Sequence, residues 1–435
     1  YCYPENPEAG IDLFLEKLVQ ETEKEHEDIL EQADETDAVF GELYSWYLRN
    51  PEYRSRVQKL VQSAFAGKPK DIISQSVAKA LYGDVSPYSA TRLERFAACA
   101  FAHFLQYGMK LTERVEYEFK PMDMGNVMHE ALESFAEEVR KRGMKWTELT
   151  EQERNEIADR CLDNIVADYG NTVLKSSARN EYMIERTRRI LRRTVWALQK
   201  QLEQGEFQPE GFEVTFGGGR IDRVDIMEDQ NKVYVKVIDY KTGNTSFDLV
   251  YLYHGLQLQL MIYLDGALRV EQKKYPDKEI IPAGVFYYNI KDPMIQEKID
   301  ADVEAVSAGL MKELKMNGLV QADPELVYRM DSSLGSIPVA FNKDGSFRQN
   351  SSVADRTQFA VLGRYVRTKI EKIRSSILEG DAEVSPYELG KKNACTYCPY
   401  MTVCGFDRRL SGYEFRRLKN FSDEELWKAF DREAE

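Results

Sequence analysis

The chain has 435 residues, of which 43% are apolar and 11% aromatic, enough to build a large core and to exclude a wholly disordered protein. No run approaches about 18 consecutive apolar residues, so the sequence predicts no transmembrane helix. The six cysteines are too few and too widely spaced for a disulfide scaffold. The sequence begins at Tyr1 and shows no signal peptide, and we expect it to be part of a longer protein.

The negative charge is concentrated at one end of the chain. The formal net charge is −14, and residues 1–50, with 14 acidic and 3 basic side chains, contribute −11 of it. Two basic runs lie elsewhere, six arginines between Arg179 and Arg193 and five basic residues between Arg364 and Arg374. Each run could contact phosphate groups or form a solvated helix face, and the sequence leaves both interpretations open.

Hydrophobic periodicity gives the predicted elements in chain order. Residues 11–50 and 52–66 are predicted to be helical, and turn residues at 82–87 mark a boundary. Ser89 is predicted to cap a helix that ends at Gly108. The later elements are a strand at 115–119, helices at 126–140 and 150–204, strands at 212–216, 219–227 and 232–240, a helix at 255–268, a strand at 283–290, an irregular loop at 331–352 and a helix at 355–379. This order predicts a mixed α/β core with helices on both sides of the sheet.

The most informative segment is a strand that ends in Asp239-Tyr240-Lys241. Alternate side chains of a strand share a face, so Asp239 and Lys241 point the same way and Tyr240 points the other way. The carboxylate can hold a divalent cation while the lysine orients a water molecule or stabilises negative charge. For this segment alone, a surface ion pair worth about 0–1 kcal/mol is the competing interpretation.

A second aspartate lies on the preceding predicted strand. An antiparallel hairpin could bring Asp222 opposite Asp239. Two converging carboxylates repel each other unless a cation separates them, and Mg²⁺ binds few protein carboxylates together with water and phosphate oxygens. Asp225 lies three residues further on and faces the opposite side, so we interpret it as a salt-bridge or turn residue.

Polar residues on two predicted helices complete the set. His129 lies one turn into an amphipathic helix, where a satisfied core histidine is the common alternative. Gln259 and Tyr263 are four residues apart and share a helix face, which could equally be the polar rim of a buried helix. His103 and His254 are interpreted as structural residues.

Taken in order, these motifs resemble the RecB-type branch of the PD-(D/E)XK nucleases. Asp222 follows His129 by 93 residues, and Asp239 follows Asp222 by 17 residues. The segments that carry the resemblance are Gly125-x₃-His129, Gly219-x₂-Asp222, Asp239-Tyr240-Lys241-Thr242-Gly243 and Gln259-x₃-Tyr263. The resemblance implies a nuclease core, a mixed sheet flanked by helices.

The resemblance also implies a role for each matching residue. Lys241 would position the attacking water and stabilise the developing charge. Gln259 and Tyr263 would support the site and contact the DNA backbone. The implied ligands of a catalytic Mg²⁺ or Mn²⁺ ion are the side chains of His129, Asp222 and Asp239 and the main-chain carbonyl of Tyr240.

Three cysteines near the carboxyl end have the spacing of soft-metal ligands. Cys395, Cys398 and Cys404 form a C-x₂-C-x₅-C pattern, and Cys99 is the best candidate for a fourth ligand. This pattern resembles the AddB family, the nuclease-bearing subunits of bacterial AddAB helicase–nucleases, and implies a [4Fe–4S] cluster, with zinc as the alternative. Ala100 departs from the proline that this family usually has after its first cysteine. Further similar segments are 87–94, 101–108, 255–263 and 395–407.

A cluster that joins Cys99 to Cys395 would staple together parts of the chain 296 residues apart and restrict the unfolded state. We predict an acidic helical segment at 1–85 that ends a helicase-like region, a nuclease domain at 86–410 and a helical tail at 411–435. The sequence contains no G-x₄-G-K-[ST] motif, so ATP binding is not predicted.

The resemblance implies an exonuclease that hydrolyses single strands of DNA delivered by an AddA-like helicase subunit, with no membrane association. It would act in double-strand-break repair in the bacterial cytoplasm and trim the 5′-ended strand. One alternative is a catalytically inactive DNA-binding or scaffold module, which would have lost Asp222, Asp239 or Lys241, whereas all three are present. The other is a Cas4-like stand-alone nuclease, a class that is usually much shorter.

Overall fold

The computed structural model describes residues 35–64, 72–83, 89–112, 121–168, 177–217, 219–295, 302–410 and 412–434. Residues 11–34 of the first predicted helix and the predicted strand at 115–119 lie outside this set. Within the described residues, no helix combines the length and the apolar character needed to cross a membrane.

The helices and strands account for most of the described chain. The helices are α1 (Glu35–Arg49), α2 (Pro51–Ala64), α3 (Gln75–Tyr82), α4 (Ala90–Ala98), α5 (Ala100–His103), α6 (Pro121–Lys141), α7 (Glu151–Asp168), α8 (Ala178–Glu203), α9 (Leu249–Tyr253), α10 (Gln259–Lys274), α11 (Val303–Glu313), α12 (Pro324–Met330), α13 (Arg356–Glu379), α14 (Met401–Cys404) and α15 (Asp423–Ala434). The strands are β1 (Gln208–Phe216), β2 (Gly219–Asp229), β3 (Lys232–Lys241), β4 (Glu279–Asn289), β5 (Asn317–Gln321), β6 (Val353–Ala354), β7 (Tyr387–Leu389), β8 (Lys392–Asn393) and β9 (Arg416–Arg417).

Six strands form one mixed sheet in the order β1-β2-β3-β4-β5-β6. The pairs β1/β2 and β2/β3 are antiparallel hairpins, β4 lies parallel to β3, β5 is antiparallel to β4, and β6 is parallel to β5. Because β3 and β4 are parallel, their carboxyl ends meet at one edge, where Lys241 pairs with Asn289. The short strands β8, β7 and β9 form a second sheet near the cysteine-rich segment.

Helices cover both faces of the large sheet, as the sequence predicted. Apolar residues of α6, α7 and α8 form the core on one face. Residues of α3, α4, α10, α13 and α15 form the core on the other face. Thus α3, which precedes the predicted nuclease domain at 86–410, and α15, which follows it, pack into the same core, and the domain limits stay a prediction.

The structure corrects one predicted helix. The helix predicted from Ser89 to Gly108 is capped by Ser89 but breaks at Cys99, whose backbone is extended (φ −165°), before α5 and a π-helical turn at 104–108. The amide of Phe101 donates to the carbonyl of Glu383 over 3.0 Å, so a tertiary contact redirects the chain without a proline. The region predicted to be helical at 150–204 contains α7 and α8 among the described residues.

Further differences concern short elements. The helix predicted from Gly255 begins at Gln259, because the Gln257 side chain accepts a bond from the Asp248 amide and donates to the carbonyl of Ser246. The local pattern of the sequence did not predict α11, β5 or α12. The predicted loop at 331–352 is irregular, apart from an isolated bridge between Phe341 and Phe347.

A buried ion cluster stiffens the β2–β3 hairpin. Asp225 accepts two hydrogen bonds from Arg223, at 2.5 and 2.9 Å, and lies 3.0 Å from Lys236 Nζ. All three residues are buried, and the Arg223 guanidinium lies 5.6 Å from the ring centre of Trp146. Burial alone would raise the pKa of Asp225, but Arg223 and Lys236 hold it below its ordinary value. The salt-bridge interpretation of Asp225 agrees with this geometry.

We expect Asp225→Ala to lower the free energy of unfolding by about 3–5 kcal/mol, because it leaves two buried cations without a counter-ion. The measurement is urea denaturation followed by circular dichroism. The control is Asp229→Ala on the same strand, which removes a partly exposed pair with Arg329 and should cost no more than about 1 kcal/mol. Equal losses in the two variants would contradict a special role for the buried cluster.

Candidate active site

Two aspartates face each other across the β2–β3 hairpin. Arg223 pairs with Ile238, and the same register carried one residue further sets Asp222 against Asp239, as predicted. The main-chain amide of Tyr240 donates to Asp222 Oδ2 over 2.7 Å. Both aspartates are almost fully buried, so this hairpin concentrates two carboxylates in a place that water reaches poorly.

His129 approaches this pair from helix α6. Its Nδ1 atom lies 3.3 Å from Asp222 Oδ2, and its ring meets the Tyr240 ring edge to face, with 6.1 Å between centroids. Burial lowers the pKa of His129, but the hydrogen bond and charge of Asp222, with help from Asp239 and Glu213, outweigh burial and raise it. His129 therefore lies beside the acids of the hairpin and outside the apolar core.

The sequence analysis missed Glu213 on β1. Phe212 pairs with Arg223 and Val214 with Ile221, so Glu213 lies across from Asp222. One Glu213 oxygen lies 3.9 Å from His129 Nδ1, and the other forms an ion pair with Arg220. The backbone of Glu213 has a positive φ of 48°, which non-glycine residues rarely adopt. Counting residues through the turn at 217–219 could have revealed this neighbour.

The charge of Asp222 raises the pKa values of its two acidic neighbours. Burial, and then the charge of Asp222, raises the pKa of Glu213 and that of Asp239 to about 7. Donor atoms of His129, Glu213 and Asp222 lie within 4.8 Å of one another. Carboxylate oxygens with one imidazole suit a hard divalent cation such as Mg²⁺ or Mn²⁺. The donor set therefore fits a metal ion, which would relieve the repulsion.

A chain of polar contacts runs from Asp239 to the helix α10. The Lys241 ammonium lies 2.6 Å from Asp239 Oδ2 and donates to Gln259 Oε1 over 2.7 Å. Gln259 in turn donates through Nε2 to the hydroxyl oxygen of Tyr263 over 2.9 Å. Burial raises the pKa of Tyr263 to about 12, so its hydroxyl is neutral. The structure thus brings all four residues of this predicted set together.

Glu94 is a second residue whose position the sequence did not reveal. Its Oε1 atom accepts hydrogen bonds from the amides of Leu258 and Gln259, at 2.7 and 2.9 Å, and so caps the start of α10. Burial raises the pKa of Glu94 to about 7, although the two amides and the charge of Lys241 act to lower it. Glu94 therefore holds the backbone of Gln259 in place and adds negative charge close to Lys241.

The four predicted cluster cysteines line one small cavity. Cys99, Cys395, Cys398 and Cys404 surround a space of about 20 Å³, and none forms a disulfide. Burial, and then the proximity of the other three thiols, raises the pKa of Cys395 to about 12. The break after α4 therefore brings Cys99 to the carboxyl-terminal segment. Cys161 lies apart from these four, on α7, and is buried in the core.

Two other histidines lie outside this site. His103 is buried and accepts a hydrogen bond from Arg92 Nε over 3.2 Å; burial lowers its pKa to about 3. His254 lies 2.8 Å through Nε2 from the carbonyl of Lys419, and burial lowers its pKa. Both have structural partners, in agreement with the interpretation from the sequence.

Residues 87–405 match the model of the PD-(D/E)XK nuclease superfamily, and the chain belongs to that superfamily. The match includes every acid, the lysine and the cysteines described above.

The chain is also similar to curated proteins that are all named as the B subunits of ATP-dependent helicase/deoxyribonucleases. The relative from Lachnoclostridium phytofermentans is 40% identical over 425 residues, which cover 92% of this chain and 36% of that protein. Those from Thermoanaerobacter sp. (strain X514) and Clostridium acetobutylicum are 34% and 33% identical, over 92% of this chain and 37% and 36% of their own lengths. The chain spans little more than a third of these relatives. They confirm the resemblance to helicase–nuclease B subunits that the sequence predicted.

We expect Glu94→Gln to flatten the pH dependence of stability. A carboxyl whose pKa is raised from 4.5 to about 7 contributes stability that is fully present below pH 4.5 and is lost as the pH rises through 7. Because the glutamine amide does not ionise, the variant should not lose this stability, which is about 3 kcal/mol of unfolding free energy between pH 4.5 and pH 8. The measurement is urea denaturation at several pH values.

The matched control is Glu371→Gln, an exposed glutamate on α13. It should leave the pH dependence of the unfolding free energy as in the parent chain. Identical curves for Glu94→Gln and Glu371→Gln would show that Glu94 does not carry the buried charge assigned to it.

Proposed function

We propose that this chain is a divalent-metal-dependent deoxyribonuclease domain that hydrolyses phosphodiester bonds of single-stranded DNA as an exonuclease. The observation that carries the proposal is the row of Glu213, Asp222 and Asp239 beside the ammonium of Lys241. The superfamily match and the name deoxyribonuclease in the curated relatives support the same reaction.

The proposed metal ligands are His129, Asp222, Asp239 and the main-chain carbonyl of Tyr240, with Glu213 as an additional donor. We propose Mg²⁺, or Mn²⁺ in its place, since both bind oxygen-rich sites that leave room for water and phosphate. When bound, the ion supplies Lewis-acid activation of the phosphate and of a water molecule.

The other residues would orient the reactants. An ammonium has three donors, and Lys241 directs two of them at Asp239 and Gln259. Its third proton is free to bind the attacking water or a phosphoryl oxygen, where negative charge grows in the transition state. The Tyr263 hydroxyl accepts from Gln259, so its own proton can be donated to the DNA backbone.

We infer that the complete protein works with an ATP-dependent helicase. The relatives are named as subunits of a helicase/deoxyribonuclease, and this chain spans only 36–37% of their length. The proposed partner is an AddA-like subunit that delivers single strands during double-strand-break repair in the bacterial cytoplasm. In this proposal the domain trims the 5′-ended strand, which is the role implied by the family.

We also propose a structural [4Fe–4S] cluster on Cys99, Cys395, Cys398 and Cys404. Their arrangement around one cavity supports this proposal, because thiolate sulfurs are the ligands of such clusters. The cluster would fix the break between α4 and α5 to the carboxyl-terminal segment. It would add to stability by closing a loop of almost 300 residues.

Removal of either charged group at the end of β3 should abolish cleavage. We expect Asp239→Ala and Lys241→Ala each to lower the rate by about 10³-fold or more, while the circular dichroism spectrum and DNA binding are retained. The assay follows single- and double-stranded DNA with Mg²⁺, and with EDTA as the metal-free control.

The matched control for the lysine is Lys278→Ala, which removes a surface pair with Glu228 and should cleave at the parental rate. Cleavage that persists in both purified site variants would refute these assignments.

The cluster proposal predicts a brown protein with broad absorbance near ~400 nm. Cys395→Ala should lose this band, and Cys161→Ala, which changes a core thiol outside the cavity, should keep it. The measurement is the absorption spectrum together with iron and zinc analysis of protein purified without oxygen. A colourless protein with stoichiometric zinc would overturn the proposal in favour of a zinc site.

A further inference from the structure

The arginines of helix α8 fall into two groups. Arg188 lies 2.7 Å from Asp163 on α7, and Arg192 forms an ion pair with Asp159 on the same helix. These two arginines fasten α8 to α7 in the core layer that covers one face of the sheet. Part of the basic run in the sequence is therefore structural.

A second stripe of α8 lines a long groove. Its members are spaced by three or four residues, so they lie along one face of the helix. From Tyr182 to Lys200 the stripe spans 18 residue steps, about 27 Å at the rise of an α-helix. It consists of Tyr182, Arg186, Arg189, Arg193, Trp196 and Lys200.

The groove has a volume of about 1090 Å³ and is bounded on its other side by α11. Seven basic and four acidic side chains line it. Four of these cations, Arg188, Arg189, Arg192 and Lys200, form ion pairs with acids, so the positive charge open to a ligand is carried by the others. A linear anion fits this combination of length and charge.

Several groups in the stripe are available to a ligand. Among the described residues, Arg186 and Arg193 form no ion pair, and Arg186 is exposed. The Arg193 guanidinium lies 5.3 Å from the ring centre of Trp196, which orients it in the groove. The ring of Tyr182 is 65% exposed, a large fraction for an aromatic side chain. The stripe thus offers two unpaired cations and a free aromatic face.

We propose that this groove binds the sugar–phosphate backbone of single-stranded DNA. Arg186 and Arg193 would contact phosphates, and a base would stack on Tyr182. Cationic grooves that carry aromatic rings bind single strands with little sequence preference. The inference rests on the proposed nuclease function and names a surface that holds its substrate outside the catalytic site.

One arginine of the stripe contacts the segment that follows β4. Arg189 lies 2.7 Å from Asp292 in the segment that follows β4. In the same segment, the amide of Ile290 donates to the carbonyl of Lys241 over 2.7 Å. The stripe and the end of β3 are therefore linked through one short segment, residues 290–292.

The test compares two double variants with equal loss of charge. Arg186→Gln with Arg193→Gln changes the groove, and Arg269→Gln with Lys428→Gln removes two cations from surface pairs elsewhere. Binding of a fluorescent single-stranded oligonucleotide is measured by anisotropy in EDTA, so that no cleavage occurs. We expect the groove variant to bind roughly tenfold to a hundredfold more weakly and the control variant to bind as the parent does.

Two further measurements identify the contacts. The loss of two phosphate contacts should reduce the slope of log K against log salt by about 1.4. Tyr182→Ala should weaken binding by about fivefold or more, with an unchanged salt slope, because stacking releases no counterions. Equal binding by the two double variants, or equal losses in both, would overturn the groove assignment. A loss confined to duplex DNA would also overturn it.

Cleavage assays separate this inference from the proposed function. With Mg²⁺, the groove variant should show a raised KM for long single strands and an unchanged kcat. If the parent chain cleaves DNA and the groove variant matches it in both constants, the groove inference fails and the nuclease proposal stands. If the parent chain binds through the groove but cleaves with neither Mg²⁺ nor Mn²⁺, the nuclease proposal fails instead.

Discussion

Three carboxylates near one end of β1, β2 and β3 repel one another, and the surrounding groups compensate for only part of that repulsion. Side chains on neighbouring strands lie about 5 Å apart, so the row of Glu213, Asp222 and Asp239 concentrates negative charge where water is scarce. His129 and Lys241 offset some of it, yet the pKa values of Glu213 and Asp239 still rise to about 7. Such a site holds protons that a divalent cation can displace, and this exchange favours metal binding as the pH rises.

Side chains alternate along β2, so the carboxylates of the candidate site and the buried ion cluster lie on opposite faces of the strand. Arg223 and Asp225 point into the core, where Lys236 completes an ion cluster in which two cations share one carboxylate. Asp222 immediately precedes Arg223 but belongs to the site. The β2–β3 hairpin thus carries one compensated ion cluster together with carboxylates that stay close despite their repulsion.

The sequence was sufficient for the fold class, and the residues of its short motifs lie close together in the structure, because both depend on local patterns. Glu213 belongs to no such motif, and its place depends on the register that sets it across from Asp222. The role of Glu94 depends on amides more than 160 residues away. Strand β5 has only five residues and includes Gly318, where a Cβ atom would lie 1.9 Å from the carbonyl oxygen of Val285. It exists because it pairs with β4, which local propensity cannot reveal.

Helix α4 contacts both the candidate active site and the cysteine cavity. Glu94 caps the helix that carries Gln259, and Cys99 follows five residues later at the cysteine cavity. The helix is also held at its carboxyl end, where Arg416 donates to the carbonyl of Ala97. A shift of the cysteine segment would therefore move α4, then the start of α10, and finally the Gln259 side chain that fixes Lys241. In this arrangement the proposed cluster would act on the position of Lys241 through α4 and α10, without touching it.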